Sequence, residues 1–264
     1  MEKPAGSTDP KIRLNKYLSE AGVCSRREAD RMIACGEVTV DGITAHTGMK
    51  ISGRERIIAA GKPVIITGKR EIVLAVNKPR GVVCTTDRRW DDKLLIDLIH
   101  VPYRVFSVGR LDKESEGLIL MTNEGDLLNR IMKSENGHEK EYEVCVDQAV
   151  LPEHIRLMEK GIYLPELGRT TRPCRIIREG EREFRMILTQ GLNRQIRRMF
   201  AAFGYQVIRL RRVRIMNIRL GDLPSGQYRE LTHQELEELK KQLAGSSNNT
   251  EFRYRRTGRN AGEN

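Results

Sequence analysis

The residues best suited to chemistry in this chain are one carboxylate set among cations and one run of arginines. Asp112 lies in Ser107-Val108-Gly109-Arg110-Leu111-Asp112-Lys113-Glu114-Ser115-Glu116-Gly117, where an apolar run leads in and a second, Leu118 to Thr122, leads out. Arg110 and Lys113 flank it. A neighbouring cation favours the ionised form of a carboxylate. An ionised, positioned carboxylate serves as a nucleophile or a base. Alone, the stretch reads as an ordinary turn between strands, since Asp and Gly favour turns. The arginines stand in Gln190-Gly191-Leu192-Asn193-Arg194-Gln195-Ile196-Arg197-Arg198-Met199. Arg194, Arg197 and Arg198 follow the i, i+3, i+4 spacing that gathers side chains on one helix. A basic face turned to a polyanion accounts for Arg194 and Arg198. One arginine turned inward can pair bidentately with a buried carboxylate.

Other chemistries lack their residues. There is no nucleotide-phosphate loop and no glycine-rich dinucleotide turn after a strand. The histidines His46, His100, His138, His154 and His233 show no metal-binding spacing, and Cys24, Cys35, Cys84, Cys145 and Cys174 form no C-x-x-C pair. No G-x-S-x-G is present. Any reaction is therefore expected to be free of metal and cofactor, and to rest on carboxylate, arginine and aromatic groups.

The chain has 264 residues, a net charge of +11 and 39% hydrophobic content. One large or two modest domains are expected. The charge calls for a polyanionic partner, nucleic acid first and an anionic membrane surface second. No run approaches the ~18 apolar residues of a spanning helix, and Met1 to Pro10 lacks an apolar signal core. These features predict a cytoplasmic protein that does not span a membrane.

Two structural units are expected to carry the candidate residues. After a disordered lead at 1–10, a domain over 11–67 opens with a helix whose face is Leu14, Tyr17, Leu18 and Ala21, stopped at Gly22. Ser25 and Glu28 form a capping box for a second helix, which ends at Gly36. Val38 to Ala45 alternates around Asp41-Gly42, a strong hairpin signal. Ile51 and Ile57-Ile58 suggest further strands. The polar side of the two helices carries Lys11, Arg13, Lys16, Arg26, Arg27 and Arg31.

Thr67 to Glu71 is a polar linker, and a larger domain spans 72–243. Ile72–Val76 reads as a buried strand, broken by Asn77-Lys78-Pro79-Arg80-Gly81 and resumed at Val82–Thr85. Further strands are expected at Val105–Val108, Leu118–Thr122, Glu139–Val146, Thr171–Ile177, Glu183–Thr189, Val207–Arg214 and Ile215–Leu220. Helices are expected at Leu94–Ile99, Asp126–Lys133, Leu151–Gly161, Arg194–Phe203 and from Thr232 to Leu243. Without regular βαβ alternation, the pattern predicts an α+β fold with a mixed, mostly antiparallel sheet. The Gly-, Ser-, Asn- and Arg-rich segment 244–264 is expected to be a disordered basic tail.

Two resemblances join these parts. Arg13-Leu14-Asn15-Lys16-Tyr17-Leu18, Ser25-Arg26-Arg27-Glu28-Ala29-Asp30 and Gly36-Glu37-Val38-Thr39-Val40-Asp41-Gly42 resemble the S4 RNA-binding module, whose basic helix face contacts structured RNA. Gly109-Arg110-Leu111-Asp112, then Lys140-Glu141-Tyr142, then Asn193-Arg194-Gln195-Ile196-Arg197-Arg198-Met199 resemble, in order, the three signature motifs of the RsuA-type pseudouridine synthases. His138 to Tyr142 and Gln190 to Met199 most resemble the RluF branch, which acts on 23S (large-subunit) ribosomal RNA. The resemblance implies cleavage of uridine's C1′–N1 bond, rotation of the base and attachment of C5 to C1′, with no cofactor.

It also implies roles. Asp112 is the catalytic carboxylate, attacking C1′ or taking a sugar proton. Arg197 pairs with it. Tyr142 stacks on the extruded base, a contact worth about 1–3 kcal/mol against an extrusion cost of similar size. Ile196 supplies an apolar wall, and Arg110 enters the vacated stack. Lys140, Arg194 and Arg198 are further expected substrate contacts, and Arg13, Lys16, Arg26, Arg27 and Arg31 the RNA contacts of the S4 module. The same chemistry on 16S ribosomal RNA or a tRNA, or a non-catalytic RNA-binding assembly factor, are the alternatives. A monomer is expected.

Overall fold

The computed structural model describes residues 12–65, 70–85, 93–133 and 137–244. The expected lead, Lys11 and the tail from 245 onward lie outside these. The first unit begins with a short strand, β1 (Ile12–Arg13), then helices α1 (Leu14–Glu20) and α2 (Arg26–Ala34). Leu14, Tyr17 and Leu18 turn one face of α1 inward against Ala29 and Ile33 of α2. Ser25 Oγ accepts from the Glu28 amide at 3.1 Å and caps α2. The expected return bond of the capping box is absent, because the Glu28 carboxylate is drawn to Arg31 instead.

Strands β2 (Val38–Val40) and β3 (Ile43–Thr44) form the expected hairpin. Asp41 at φ +51° and Gly42 at φ +83° both adopt the left-handed conformation that so tight a turn requires. Strands β4 (Lys50–Ile51), β5 (Ile57–Ala59) and β6 (Lys62–Pro63) complete the unit; β4 pairs with β1, and β5 and β6 extend the hairpin. Val38, Ile51 and Ile57 close its core.

The second unit is built on a nine-stranded mixed sheet. One half contains β7 (Val73–Lys78), β8 (Phe106–Val108) and β9 (Glu116–Thr122). The other contains β10 (Lys140–Val146), β13 (Arg175–Arg178), β14 (Glu183–Leu188) and β15 (Val207–Ile215), with β16 (Ile218–Arg219) folded back on β15. The small hairpin β11 (Tyr163–Leu164) and β12 (Arg169–Thr170) lies apart, and β17 (Tyr228–Glu230) returns to flank β7. The order across the main sheet is β13-β14-β10-β15-β9-β7-β17. All these pairs are antiparallel except the seam between β15 and β9, which is parallel and pairs only Arg211 with Glu116 and Arg212 with Gly117.

Helix α3 (Gly125–Met132) and α6 (His233–Leu243) cover one face, meeting Leu118 and Leu120 of β9 through Leu127, Ile131, Leu239 and Leu243. Helices α4 (Pro152–Lys160) and α5 (Gln195–Ala201) cover the other, where Ile119, Met121, Tyr142 and Val144 pack with Ile155, Met158, Ile196 and Met199. A strand buried on both faces reads as a continuous apolar run, and β9 does so.

Four expectations differ from what is observed, the first being the helix at Leu94–Ile99, which is a single 3-10 turn over Leu95–Leu98. The strand at Ile72–Val76 is not broken at Asn77: β7 runs to Lys78, whose side chain is fully buried. Its ammonium donates to the carbonyls of Pro79 at 2.8 Å and Val82 at 2.7 Å, so the charge is solvated by backbone. Val82–Thr85 forms no strand beyond one isolated bridge from Val83 to Leu94. The strand expected at Thr171–Ile177 is displaced to Arg175–Arg178, because Thr171 turns to bond Ile162.

Candidate active site

Three segments from different parts of the second unit line most of one cavity of about 330 Å³. This lies within the range usual for small-molecule sites. The loop between β8 and β9 brings Gly109, Arg110, Leu111, Asp112 and Ser115; β10 brings Tyr142; the entry to α5 brings Asn193, Arg194, Gln195 and Ile196.

The first loop is braced on several sides. Gly109 holds φ +80°, and a methyl group there would meet Met132 Sδ at 2.8 Å. The Asp112 carbonyl accepts from the Ser115 amide at 3.0 Å, closing a turn directly after the carboxylate. The Lys113 carbonyl accepts from the Gly81 amide at 2.8 Å. Arg197 Nη2 donates to the Glu114 carbonyl at 3.1 Å and to Ser115 Oγ at 3.3 Å, while Nη1 donates to the Val207 carbonyl at 2.7 Å. One guanidinium therefore ties the loop to β15.

The half-buried Asp112 carboxylate faces two arginines: Oδ2 is 3.6 Å from Arg194 Nη1 and 3.9 Å from Arg197 Nε. These are ion-pair separations, longer than hydrogen bonds. Arg197 Nε is buried and has no hydrogen-bond partner among the described residues. The bidentate pairing expected of an inward arginine is thus not formed, since both terminal nitrogens are spent on backbone and Ser115. Burial pushes the Arg197 pKa down, as does the neighbouring Arg194 charge, and Asp112 opposes the shift.

The α5 entry owes its shape to Gln195. Its side-chain oxygen accepts from the Leu192 amide at 3.0 Å, and its amide reaches Gln190 at 3.4 Å. Arg194 caps the helix in the left-handed conformation, φ +50°, which turns its side chain toward Asp112 rather than outward. Ile196 is buried and forms an apolar wall with Leu188, Leu192 and Leu210. Tyr142, only 8% exposed, presents its ring to the same cavity.

The expected residues do not all converge. Arg110 is exposed at the cavity rim. Arg197 stands behind Asp112 and does not line the cavity. Arg198 is turned away, paired with Glu166 and donating from Nε to the Asn193 carbonyl at 3.1 Å. Lys140 lies one strand step behind Tyr142, its ammonium on the His138 carbonyl at 3.2 Å. In the first unit Arg13, Arg26, Arg27 and Arg31 are exposed, Arg31 paired with Glu28. Lys16 instead reaches both carboxylate oxygens of Asp126 on α3 at 3.2 Å. Sequence reasoning missed Met132, Leu188 and Leu210 as cavity walls, and Ser115 and Gln195 as braces. Gln195 lies inside the third motif and Ser115 three residues beyond the first, which was the signal for each. Among the described residues no cluster of histidine, cysteine and acidic side chains is placed to hold a metal, and no helix is long and apolar enough to cross a membrane.

A carboxylate flanked by arginines, facing a tyrosine and an aliphatic wall in an uncharged-base-sized cavity, fits a pseudouridine synthase. The profile of the RNA pseudouridylate synthase family matches residues 72–202, and that of the S4 domain residues 12–57. The chain belongs to the RsuA-type pseudouridine synthases carrying an S4 domain. It is 46% identical, over 91% of its length and 82% of the relative's, to the dual-specificity RNA pseudouridine synthase RluF of Salmonella typhi. It is 32% identical to the ribosomal large subunit pseudouridine synthase B of Bacillus subtilis, over 86% of this chain and 95% of that one. A solved pseudouridylate synthase superposes with a TM-score of 0.65 at 28% identity, covering 86% of this chain and 99% of the other. The chain is therefore an isomerase of uridine in RNA.

Proposed function

We propose that this enzyme converts a uridine of 23S ribosomal RNA to pseudouridine with Asp112 as its catalytic carboxylate. The observation that carries this reading is the placement of Asp112 between Arg194 and Arg197, across the cavity from Tyr142 and Ile196. Asp112 attacks C1′ or takes a sugar proton as the C1′–N1 bond breaks. Arg197 fixes the loop that carries it, Tyr142 stacks on the extruded base, Ile196 walls the base in, and Arg110 fills the vacated stack. Arg194 neutralises charge at the same carboxylate. Arg26, Arg27 and Arg31 hold RNA backbone through the S4 unit, whose expected span is 11–67, while the catalytic unit spans 72–243. The enzyme works in the cytoplasm as a monomer.

Relatives named for dual specificity support a second RNA substrate, with a tRNA as the candidate. The test is carbodiimide primer-extension mapping of ribosomal RNA and tRNA from cells carrying wild type or Asp112→Asn. Loss of one large-subunit site and one tRNA site is expected. Retention of every pseudouridine by the variant refutes the role of Asp112; a lost site in 16S RNA alone refutes the substrate.

A further inference from the structure

Arg212, on β15, is 4% exposed, yet it meets no carboxylate among the described residues. Its Nε donates to the Leu118 carbonyl at 2.7 Å, and its Nη2 is buried with no partner. Its strand partner across the seam is Gly117, where a methyl would meet the Arg212 carbonyl at 2.3 Å, so the two strands approach this closely only because no side chain stands there. The guanidinium carbon lies 5.9 Å from the centre of the Tyr142 ring, and the two residues are partners in the β10–β15 ladder. Lys140, two residues before Tyr142, is a second cation there. Among the described residues it donates only to the His138 carbonyl, and burial followed by the Arg212 charge pushes its pKa down to about 8. The nearby carboxylates Glu139 and Glu141 are already paired with Arg214.

A buried cation without an anion is costly, and here Arg212 lies over an aromatic ring that borders the cavity, with the partly buried Lys140 two residues along the same strand as that ring. A neutral uridine offers them nothing. Only during the reaction does negative charge arise on the base, because the electron pair of the broken C1′–N1 bond departs with the ring. That pair is handed back when C5 bonds to C1′, C5 releases its proton and N1 gains one. A fixed field that meets charge only at this stage lowers the barrier without tightening ground-state binding.

We propose that Arg212 and Lys140 are positioning residues that, through Tyr142, hold a positive field behind the base and stabilise the detached uracil as an anion. The proposal rests on the assignment of Asp112 as the carboxylate that opens C1′–N1, and holds for either of its two modes of attack.

The experiment compares Lys140→Met, Lys140→Arg and Arg212→Lys with wild type in single turnover, on short RNAs bearing the mapped uridine or 5-fluorouridine, read for both as loss of the C1′–N1 linkage, because a C5 that carries fluorine has no proton to release. Fluorine stabilises the departing ring anion, so help from the protein matters less. Lys140→Met is expected to slow uridine about tenfold, one decade of barrier, and 5-fluorouridine less than about threefold, with unchanged RNA affinity. Lys140→Arg and Arg212→Lys, which keep the charge, should stay within about threefold of wild type on both. Equal slowing of the two bases by Lys140→Met, or a defect explained by weaker RNA binding, overturns the proposal. An active Asp112→Asn enzyme would instead sink the assignment beneath it.

Discussion

Replacing Arg197 by lysine keeps the charge beside Asp112 and removes the fork. In the structure the two terminal nitrogens of Arg197 serve the Val207 carbonyl at 2.7 Å, the Glu114 carbonyl at 3.1 Å and Ser115 Oγ at 3.3 Å. A single ammonium reaches one of the two carbonyls, so β15 and the Asp112 loop are no longer tied together. Hydrogen bonds to a charged donor contribute about 1.5–3 kcal/mol each. Water replaces the arginine at the exposed Glu114, which brings the expected net loss down to about 1–2 kcal/mol. For a chain of this size that is a Tm lower by about 2–8 °C. The catalytic cost should be larger in proportion, because a 1 Å displacement of a reacting group costs about a hundredfold. The assay is single-turnover isomerisation beside calorimetry and filter binding of RNA. A hundredfold slower step with unchanged RNA affinity and a modest Tm drop is expected. A lysine variant with full rate would show that charge alone suffices, and one that loses RNA affinity would make Arg197 an RNA contact; either result refutes the tether.

Three further outcomes can be checked alongside. Lys140 has a native pKa of about 8 against an ordinary 10.5, so between these values the unfolded chain binds more protons and this group makes stability rise with pH. Lys140→Met should therefore be more stable than wild type by about 1–2 kcal/mol near pH 7, with the gap closing by about pH 10 in urea titrations; a constant gap would contradict the shift. Gly117→Ala places a methyl 2.3 Å from the Arg212 carbonyl at φ +100°, and should cost more than about 3 kcal/mol, seen as a Tm drop well beyond that of Arg197→Lys. Exchange of Arg26, Arg27 and Arg31 for alanine should lower the slope of log affinity against log salt by about two, and an unchanged slope would place the RNA footprint elsewhere.

Most of the helices and the hairpin at Asp41-Gly42 were legible because each rests on local patterning: α1 on its apolar spacing, α2 on Ser25, α6 on Thr232 and Glu235. The sheet was less so. Asn77-Lys78 reads as a break, since nothing local announces that the carbonyls of Pro79 and Val82 will surround a lysine. The strand β17 is polar and was missed, because it exists only through its pairing with β7. At the site the motifs pointed to the right neighbourhoods, and they did not reveal how the arginines divide their work. The αL turn at Arg194 puts that side chain in the cavity wall, whereas Arg198, four residues on, serves Glu166. The uncompensated charge of Arg212 had no local signature, as a strand of alternating arginines reads as solvated.

The seam between β9 and β15 also bears on the order in which the enzyme assembles. Asp112 belongs to the half containing β7, β8 and β9, whereas Tyr142 and Arg197 belong to the half around β10, β14 and β15, and only two residue pairs of parallel ladder join them. The junction needs residues nearly a hundred positions apart, Glu116 with Arg211 and Gly117 with Arg212, and distant pairings form slowly. The cavity therefore exists only once this distant junction has been made, and the gain of activity during refolding should lag behind the gain of secondary structure.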